Sequence, residues 1–283
     1  MQRRTQVVAG LLGGVAATTV ATWALGAQRW KRETGESVAR LRRSESRESE
    51  PAYSRDDLTG LPEPVVRYFQ FALLPGQSRI RRAQLRHAGE LRENAAAAWM
   101  RFTSVEHLSV RPPGFVWDAN VDAPLFRLRV RDSYFDAGGA SVAKLGGLMT
   151  VAEIGPSPQL ASASLARYLA ESAWLPTALL PSKNLRWESL GERSARVMLR
   201  DGEQGASLDV EFGAGGEIER VSTLRYREAG GALVLTPWAG RLREYRRIAG
   251  MMVPMEGEVE WRPPEGAVTV WRGRLLRAGY EFA

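Results

Sequence analysis

From residue 80 onwards, apolar and polar side chains alternate over most of the chain, the pattern of strands with one buried face. Residues 126–131 read FRLRVR, so three apolar side chains face one way and three arginines the other, and we expect the arginine face to be solvated. Glycine and proline clusters separate about ten such segments. No alternation of strands with helices occurs, so we predict a strongly bent antiparallel sheet or an open β-barrel.

Two stretches interrupt this pattern with a helical period. Residues 61–74 read LPEPVVRYFQFALL and predict a short helix with Pro64 in its first turn. A second helix is predicted to begin at the N-cap Ser164 and to end before Pro176. The predicted fold class is therefore α+β, mainly antiparallel β, with an N-terminal helix and a short central helix packed on the sheet.

The glycine-rich segment 136–147, DAGGASVAKLGG, invites comparison with phosphate-binding loops. It lacks the terminal Lys-Ser/Thr of the phosphate loop and does not match the dinucleotide fingerprint. We interpret it as turns between strands.

The N-terminal region differs from the rest in composition. Residues 7–27 form an apolar run without a charge, long enough to cross a bilayer as a helix. We predict a transmembrane anchor over 1–27, the alternative being a signal peptide cleaved near Ala24-Leu25-Gly26. Residues 28–57 are rich in charge and serine and predict a flexible linker, with a transient helix near Val38 to Arg43. A single β-rich domain is expected over 58–283.

The predicted location is the cell membrane, with one crossing. Basic residues are more frequent after the apolar run than before it, and the positive-inside rule then keeps the main domain in the cytoplasm. An extracytoplasmic main domain is favoured nevertheless, as the place for an envelope ligand carrier. The two arguments remain in conflict at the level of sequence.

The basic composition does not indicate nucleic-acid binding. The formal net charge is +7, but only three of the 39 basic residues are lysines, a skew typical of genomic composition. The surplus is spread thinly along the chain instead of forming a basic cluster. Cysteine is absent, which excludes disulfides, thiolate nucleophiles and a lipid-bearing cysteine.

The usual catalytic constellations are missing from the sequence. With two histidines, His87 and His107, and no cysteine, neither a common zinc site nor a Cys-His pair is predicted. No Gly-x-Ser-x-Gly occurs. An acid-base enzyme remains an alternative if carboxylates converge in the fold, the candidates being Asp118, Asp132, Asp136, Glu153 and Glu171.

Bulky aromatic side chains supply the candidate ligand contacts. The chain has nine tryptophans, spread along its length, of which most are expected in the core. Arg167 and Glu171 lie one helical turn apart, either as polar ligand contacts or as a simple ion pair. The candidate ligand-binding residues are Trp117, Arg167, Tyr168, Glu171, Trp174, Trp187 and Trp238.

Three segments resemble an uncharacterised bacterial family, DUF6544: LPEPVVRYFQFAL at 61–73, ARYLAESAWLPTALLPS at 166–182, and Trp187. The family implies no reaction and no catalytic residues. The overall pattern is similar to the LolA/LppX-type lipoprotein carriers, in which a bent antiparallel sheet wraps helices and encloses an apolar cavity. That resemblance implies a cavity on the concave face.

These observations favour a membrane-tethered module that binds a lipid or another apolar small molecule in the concavity of its sheet. Two alternatives stay open: an enzyme that uses paired carboxylates, and a non-catalytic protein-binding envelope domain with a filled core. No cofactor, metal or nucleic acid is expected.

Overall fold

A computed structural model of the chain describes residues 24–46, 48, 50–123 and 126–283. Within that range the chain forms thirteen strands and three α-helices. The strands are β1 Ile80–Leu91, β2 Met100–Ser109, β3 Gly114–Ala123, β4 Phe126–Phe135, β5 Gly138–Leu145, β6 Met149–Ile154, β7 Leu185–Gly191, β8 Ser194–Asp201, β9 Gln204–Phe212, β10 Ile218–Ala229, β11 Ala232–Ile248, β12 Met251–Trp261 and β13 Val268–Phe282. The helices are α1 over 24–43, α2 Glu63–Ala72 and α3 Pro158–Glu171, with 3₁₀ turns at Arg55–Leu58, Ser172–Trp174 and Pro176–Leu179.

All thirteen strands belong to one antiparallel sheet, curled into a half-barrel. The strand order is β6-β5-β4-β3-β2-β1-β13-β12-β11-β10-β9-β8-β7. The sheet therefore consists of two meanders, β1–β6 and β7–β13, which are joined where β1 pairs with β13. In the chain, α3 lies between the two meanders. The mainly antiparallel bent sheet predicted from the alternation is confirmed, although the expected ten strands are too few.

The strand alternation sorts side chains between the two faces. In β3, Phe115, Trp117, Ala119 and Val121 are buried in the main core, while Val116 points to the opposite face. The helices α2 and α3 contact the sheet on the side of the main core, which is its concave face. The concave face thus holds both the core and any cavity.

Helix α2 forms where the sequence predicts it. Pro64 lies in its first turn, and Val65, Tyr68, Phe69 and Ala72 are fully buried against the sheet. Since these residues recur at helical spacing, they make one apolar stripe. The predicted helix over 61–74 is confirmed.

Helix α3 begins earlier than predicted. Ser157 is its N-cap, accepting a hydrogen bond from the Leu160 amide at 3.1 Å, and Pro158 occupies the first turn. The predicted N-cap, Ser164, is instead buried inside the helix. A Ser-Pro pair satisfies the requirements of a helix start better than a serine alone, because proline fixes the backbone angle there.

The prediction of turns over 136–147 is confirmed only at the two ends of the segment, 136–137 and 146–147, because β5 occupies the residues between them. A Cβ on Gly139 would lie 2.8 Å from both the Leu160 carbonyl oxygen and the Ser164 hydroxyl. Glycine at this position lets the strand approach α3 closely. The glycine content reflects packing between strand and helix as well as turns.

The charged segment predicted as a linker over 28–57 differs from expectation, since it is helical as far as residue 43. Trp30 is buried between α1 and the convex face of the sheet, and its indole nitrogen donates to Asp118 at 2.8 Å. Lys144 and Arg29 donate to Glu33; although burial opposes the shift, these contacts lower the pKa of Glu33 to about 2. Val38 and Leu41 are buried as well and form a small apolar cluster with Val116 of β3. Three buried apolar residues and a local ion-pair cluster therefore hold this helix on the sheet.

The arginine face of β4 is partly covered, not solvated as predicted. Arg131 donates to Thr34 at 3.0 Å, and its guanidinium lies 4.6 Å from the centre of the Trp30 ring. Arg131 therefore forms part of the surface on which α1 packs, whereas Arg127 is exposed as predicted.

The predicted anchor over 1–27 lies almost entirely outside the described residues, which begin at residue 24. In the part of the chain that the structure describes, no helix combines the length and apolar composition needed to cross a bilayer.

We predict that Trp30→Ala lowers the free energy of unfolding by about 3 to 5 kcal/mol, the usual cost of deleting a buried tryptophan side chain. Urea unfolding gives the stability, and hydrogen exchange should accelerate in residues 24–43. The exposed neighbour Lys31 provides the control, since Lys31→Ala is expected to change stability by no more than about 0.5 kcal/mol. Equal stability of wild type and Trp30→Ala would contradict the described packing.

Candidate functional site

A cavity of about 240 Å³ lies between α3 and the concave face of the sheet. Its walls are aromatic to an unusual degree and include five of the nine tryptophans. Charged side chains line the same space. The tryptophans are Trp117, Trp174, Trp238, Trp261 and Trp271, and the main polar residues are His87, Glu106, Asp132, Arg167, Glu171 and Arg225.

Register places three of the lining residues side by side. Glu106 on β2 is the cross-strand partner of Trp117 on β3, and Trp117 is the partner of Asp132 on β4. All three point to the concave face and line the cavity. The side chains of Glu106, Trp117 and Asp132 therefore form a row on the sheet beneath α3.

Arg167 of α3 lies over this row and holds it together. Its Nη1 lies 2.7 Å from Asp132, its Nε lies 2.8 Å from Glu171, and its Nη2 lies 3.5 Å from Glu106. The guanidinium also stacks on aromatic rings, 5.0 Å from the centre of Trp117. Three carboxyl groups therefore share one buried cation.

Glu106, one of the three carboxyl groups around Arg167, has a raised pKa. Burial raises the pKa of Glu106 well above its usual value of 4.5, and the nearby carboxylate of Glu171 raises it further, which outweighs the opposing effect of Arg167. Like charges in one buried site cannot both ionise cheaply. Glu106 is accordingly the member of the cluster that tends to hold a proton.

Two buried nitrogen atoms around the cavity, His87 Nε2 and Trp238 Nε1, have no hydrogen-bond partner among the described residues. The side chains of Glu106 and Glu171 form a hydrogen bond with each other when Glu106 holds its proton. Burial lowers the pKa of His87 to about 4, and Arg167 lowers it too, so its ring is neutral at pH 7. Native proteins leave few such groups unpaired, so these atoms are available to a water molecule or a ligand in the cavity.

Glycines on adjacent strands make room for the Trp271 ring. Gly257 of β12 and Gly273 of β13 are cross-strand partners on the concave face. A Cβ on Gly273 would lie 2.5 Å from the Trp271 ring, and one on Gly257 would lie 3.2 Å from the same ring. The absence of side chains at these positions lets the Trp271 ring lie close to the sheet.

A second depression of about 190 Å³, the outer pocket, adjoins this inner cavity along α3. It opens between α3 and the strands β4, β5 and β10. Four residues line both spaces and mark the boundary between them: Asp132, Arg167, Arg225 and Trp261.

Five of the seven ligand-binding candidates from the sequence meet at the inner cavity: Trp117, Arg167, Glu171, Trp174 and Trp238. Tyr168 and Trp187 are buried in the main core away from it. The Trp187 indole donates to the Leu179 carbonyl at 2.9 Å, and its ring packs near Phe212. That the five residues bind a ligand stays a prediction.

Sequence reasoning missed Glu106, Arg225, Trp261 and Trp271 and took His87 as structural. Among the weighed carboxylates, Asp132 does meet Glu171, both at Arg167, whereas Asp118 and Asp136 bind Trp30 and Arg40 on the other side of the sheet. The missed signal was a polar residue at an inward position of an alternating strand, as with Glu106 between Ser104 and Leu108.

We predict that Glu106→Gln flattens the pH dependence of stability. A folded-state pKa above 4.5 means that the unfolded chain releases this proton first, so wild-type stability falls as pH rises above 4.5, by up to about 1.4 kcal/mol per pH unit, until the folded carboxyl also ionises. Denaturant titrations of both proteins between pH 4 and 9 measure the difference. A constant difference across this range would contradict the assignment.

Comparison with solved structures gives distant likenesses. A DUF1329 family protein from Desulfovibrio piger shares 11% identity with a TM-score of 0.42, covering 77% of this chain and 91% of its own. A LolA superfamily protein from Nitrosomonas europaea shares 14% identity with a TM-score of 0.34, covering 78% of this chain and 93% of its own. Both TM-scores are below 0.5, so these similarities are too distant to indicate how the site is used. No curated protein matches the sequence.

A family model matches residues 59–280, which include α2, α3, the strands β1 to β12 and all but the last two residues of β13. The match corrects the family expected from the signature segments, DUF6544. The chain belongs to DUF6920, a family of unknown function.

Proposed function

We propose that the protein binds a small amphipathic molecule in the inner cavity between α3 and the sheet. The observation that supports this function is the meeting of five tryptophans with two unpartnered buried nitrogen atoms, His87 Nε2 and Trp238 Nε1, at one cavity. An apolar body suits the indole walls, and polar atoms on the same molecule suit the groups that lack partners.

The energetics favour a ligand that has both an apolar part and polar atoms. Each buried polar group without a hydrogen bond costs about 1 to 3 kcal/mol, so a purely apolar guest leaves that cost in place. Water alone can pair with the polar atoms, but it gains nothing from the tryptophan walls. A molecule that combines the two kinds of contact gains from both.

The volume limits the size of the guest. About 240 Å³ lies slightly below the range of about 300 to 1,000 Å³ found for drug-sized ligands. Binding of one short chain or ring system fits this space, and the outer pocket offers about 190 Å³ more. A bulky lipid with several acyl chains exceeds both.

The proposal includes tethering of this module to the cell membrane through the apolar run over 7–27, with the main domain outside the cytoplasm. The basic residues after that run argue for the opposite orientation. We expect a C-terminal alkaline phosphatase fusion, which is active only outside the cytoplasm, to be active, and a matching green fluorescent protein fusion to be dark. The reverse result places the site in the cytoplasm.

Binding is tested with the neutral dye N-phenyl-1-naphthylamine and the full chain in detergent. We predict that the dye quenches tryptophan emission in the wild type by energy transfer, since five indoles surround the cavity. Ala170 of α3 is buried and lines the cavity, and Ala170→Phe inserts a ring into it. We expect this variant to lose at least tenfold in dye affinity.

Ser162→Phe is the matched control, because Ser162 lies on the same helix away from the cavity. Its affinity should stay within about twofold of the wild type, and thermal unfolding should show that both variants fold. Dye binding that is equal in all three proteins would instead reflect the detergent or the apolar run, and the proposal would fail.

A second candidate function is acid-base catalysis, favoured by the carboxyls of Glu106 and Glu171 at one buried cation. A carboxyl that keeps its proton beside an ionised one is a common acid and base arrangement. Molecules extracted from the purified protein separate the two functions. Conversion of such a molecule by the wild type and not by Glu106→Gln favours the enzyme, and its unchanged release from both favours the binding module.

A further inference from the structure

Arg225 of β10 is a cation without a direct counter-charge at the edge of the cavity. Its Nε donates to the Ala163 carbonyl of α3 at 2.8 Å, which fixes the side chain beneath the helix. Across the described ranges from residue 24 to 283, no carboxylate lies within ion-pair distance of it. The Nη groups, which form the outer edge of the guanidinium, have no hydrogen bond in that part of the chain.

The surroundings make this lone charge costly. Burial lowers the pKa of Arg225 to about 10, and the positive charge of Arg167 lowers it too, although Glu171 and Asp132 act in the opposite direction. The guanidinium lies 5.7 Å from the ring centre of Trp238 and 5.6 Å from that of Trp261. Arg225 is half-buried, so its outer N–H groups face the cavity. Indole faces offset part of the cost of removing this cation from water, but they supply no acceptor for its N–H groups.

The position of Arg225 suits one end of an elongated ligand. Together with Trp261, it lines both the inner cavity and the outer pocket. A head group held there would leave the rest of the molecule to extend among Trp117, Trp174 and Trp271. The unpartnered Trp238 Nε1 belongs to a ring beside the same guanidinium and offers a second donor.

We propose that Arg225 binds an anionic head group, so that the ligand is an amphipathic monoanion with its apolar part in the inner cavity. This inference rests on the proposed function and specifies the chemistry of its ligand. A guanidinium presents paired N–H donors that match the oxygens of a carboxylate or a phosphate monoester.

The carboxylates of Asp132 and Glu171 attract a cationic ligand less strongly than Arg225 attracts an anionic one. Asp132 accepts from both Arg167 and Ser141, and Glu171 accepts from Arg167 through one oxygen. Their charges therefore already have a partner within the protein. A cationic ligand remains the opposite outcome of the test.

The test compares three probes of equal chain length: decanoate, decan-1-ol and decylammonium. Calorimetric titration of the full chain in detergent gives the affinities. We expect decanoate to bind about ten- to a hundredfold more tightly than decanol, the range of one charge-assisted hydrogen bond. Arg225→Gln should remove that advantage and leave decanol affinity within about twofold.

Arg220→Gln is the matched control. Arg220 lies on β10 but pairs with Glu211 on the other face of the sheet, so its loss changes the net charge equally without touching the cavity. It should keep the preference for decanoate. Equal binding of decanoate and decanol to the wild type, or tighter binding of decylammonium, would overturn the inference while the proposed function stands. Binding of none of the probes would overturn both.

Two further measurements address fold and head-group identity. Carbon-13 NMR of carboxyl-labelled decanoate should show a bound carboxylate with a lower pKa in the wild type than in Arg225→Gln, and an unchanged value would contradict a direct contact. Decyl phosphate distinguishes the two sources of negative charge: tighter binding than decanoate indicates a phosphate monoester, and weaker binding indicates a carboxylate. Circular dichroism verifies that each variant folds.

Discussion

The site depends on one guanidinium, that of Arg167, buried between a helix and a sheet. Its contacts with Asp132, Glu106 and Glu171 connect α3 to β2 and β4 and determine which face of the helix meets the sheet. A buried charge is tolerated only with close partners, so the helix has little freedom to settle elsewhere. Burial and the neighbouring carboxylate of Glu171 raise the pKa of Glu106 against the opposing effect of Arg167, so the packing of the helix on the sheet also affects the protonation of the cavity.

Much of the architecture follows from periodicity alone. Alternation predicts the antiparallel sheet, proline and apolar spacing predict α2, and the interruption between two runs of strands predicts α3. Bulk and location were sufficient to choose Trp117, Trp174 and Trp238 as cavity residues. These features succeed because each depends on neighbours within one element, where spacing in sequence is spacing in space.

Contacts between distant segments were beyond such reasoning. Glu106 lies 61 positions before Arg167, and their meeting depends on how the helix crosses the first meander. The helix at 24–43 was missed because its buried apolar residues, Trp30, Val38 and Leu41, are few and widely spaced among charged side chains. Trp187 resembled the cavity tryptophans by type, but its indole is already satisfied by a backbone carbonyl. Composition does not distinguish these environments.

The paired glycines Gly257 and Gly273 help to set the volume of the inner cavity because neither carries a side chain. The Trp271 indole lies against the backbone of both glycines and occupies space that a methyl group on either one would otherwise take. The volume of the inner cavity therefore depends on these two glycines of the sheet as well as on the aromatic residues that line it. Members of the family that carry alanine or valine at these two positions should have a smaller inner cavity. The size of ligand that the cavity accepts can therefore change without any substitution of an aromatic residue.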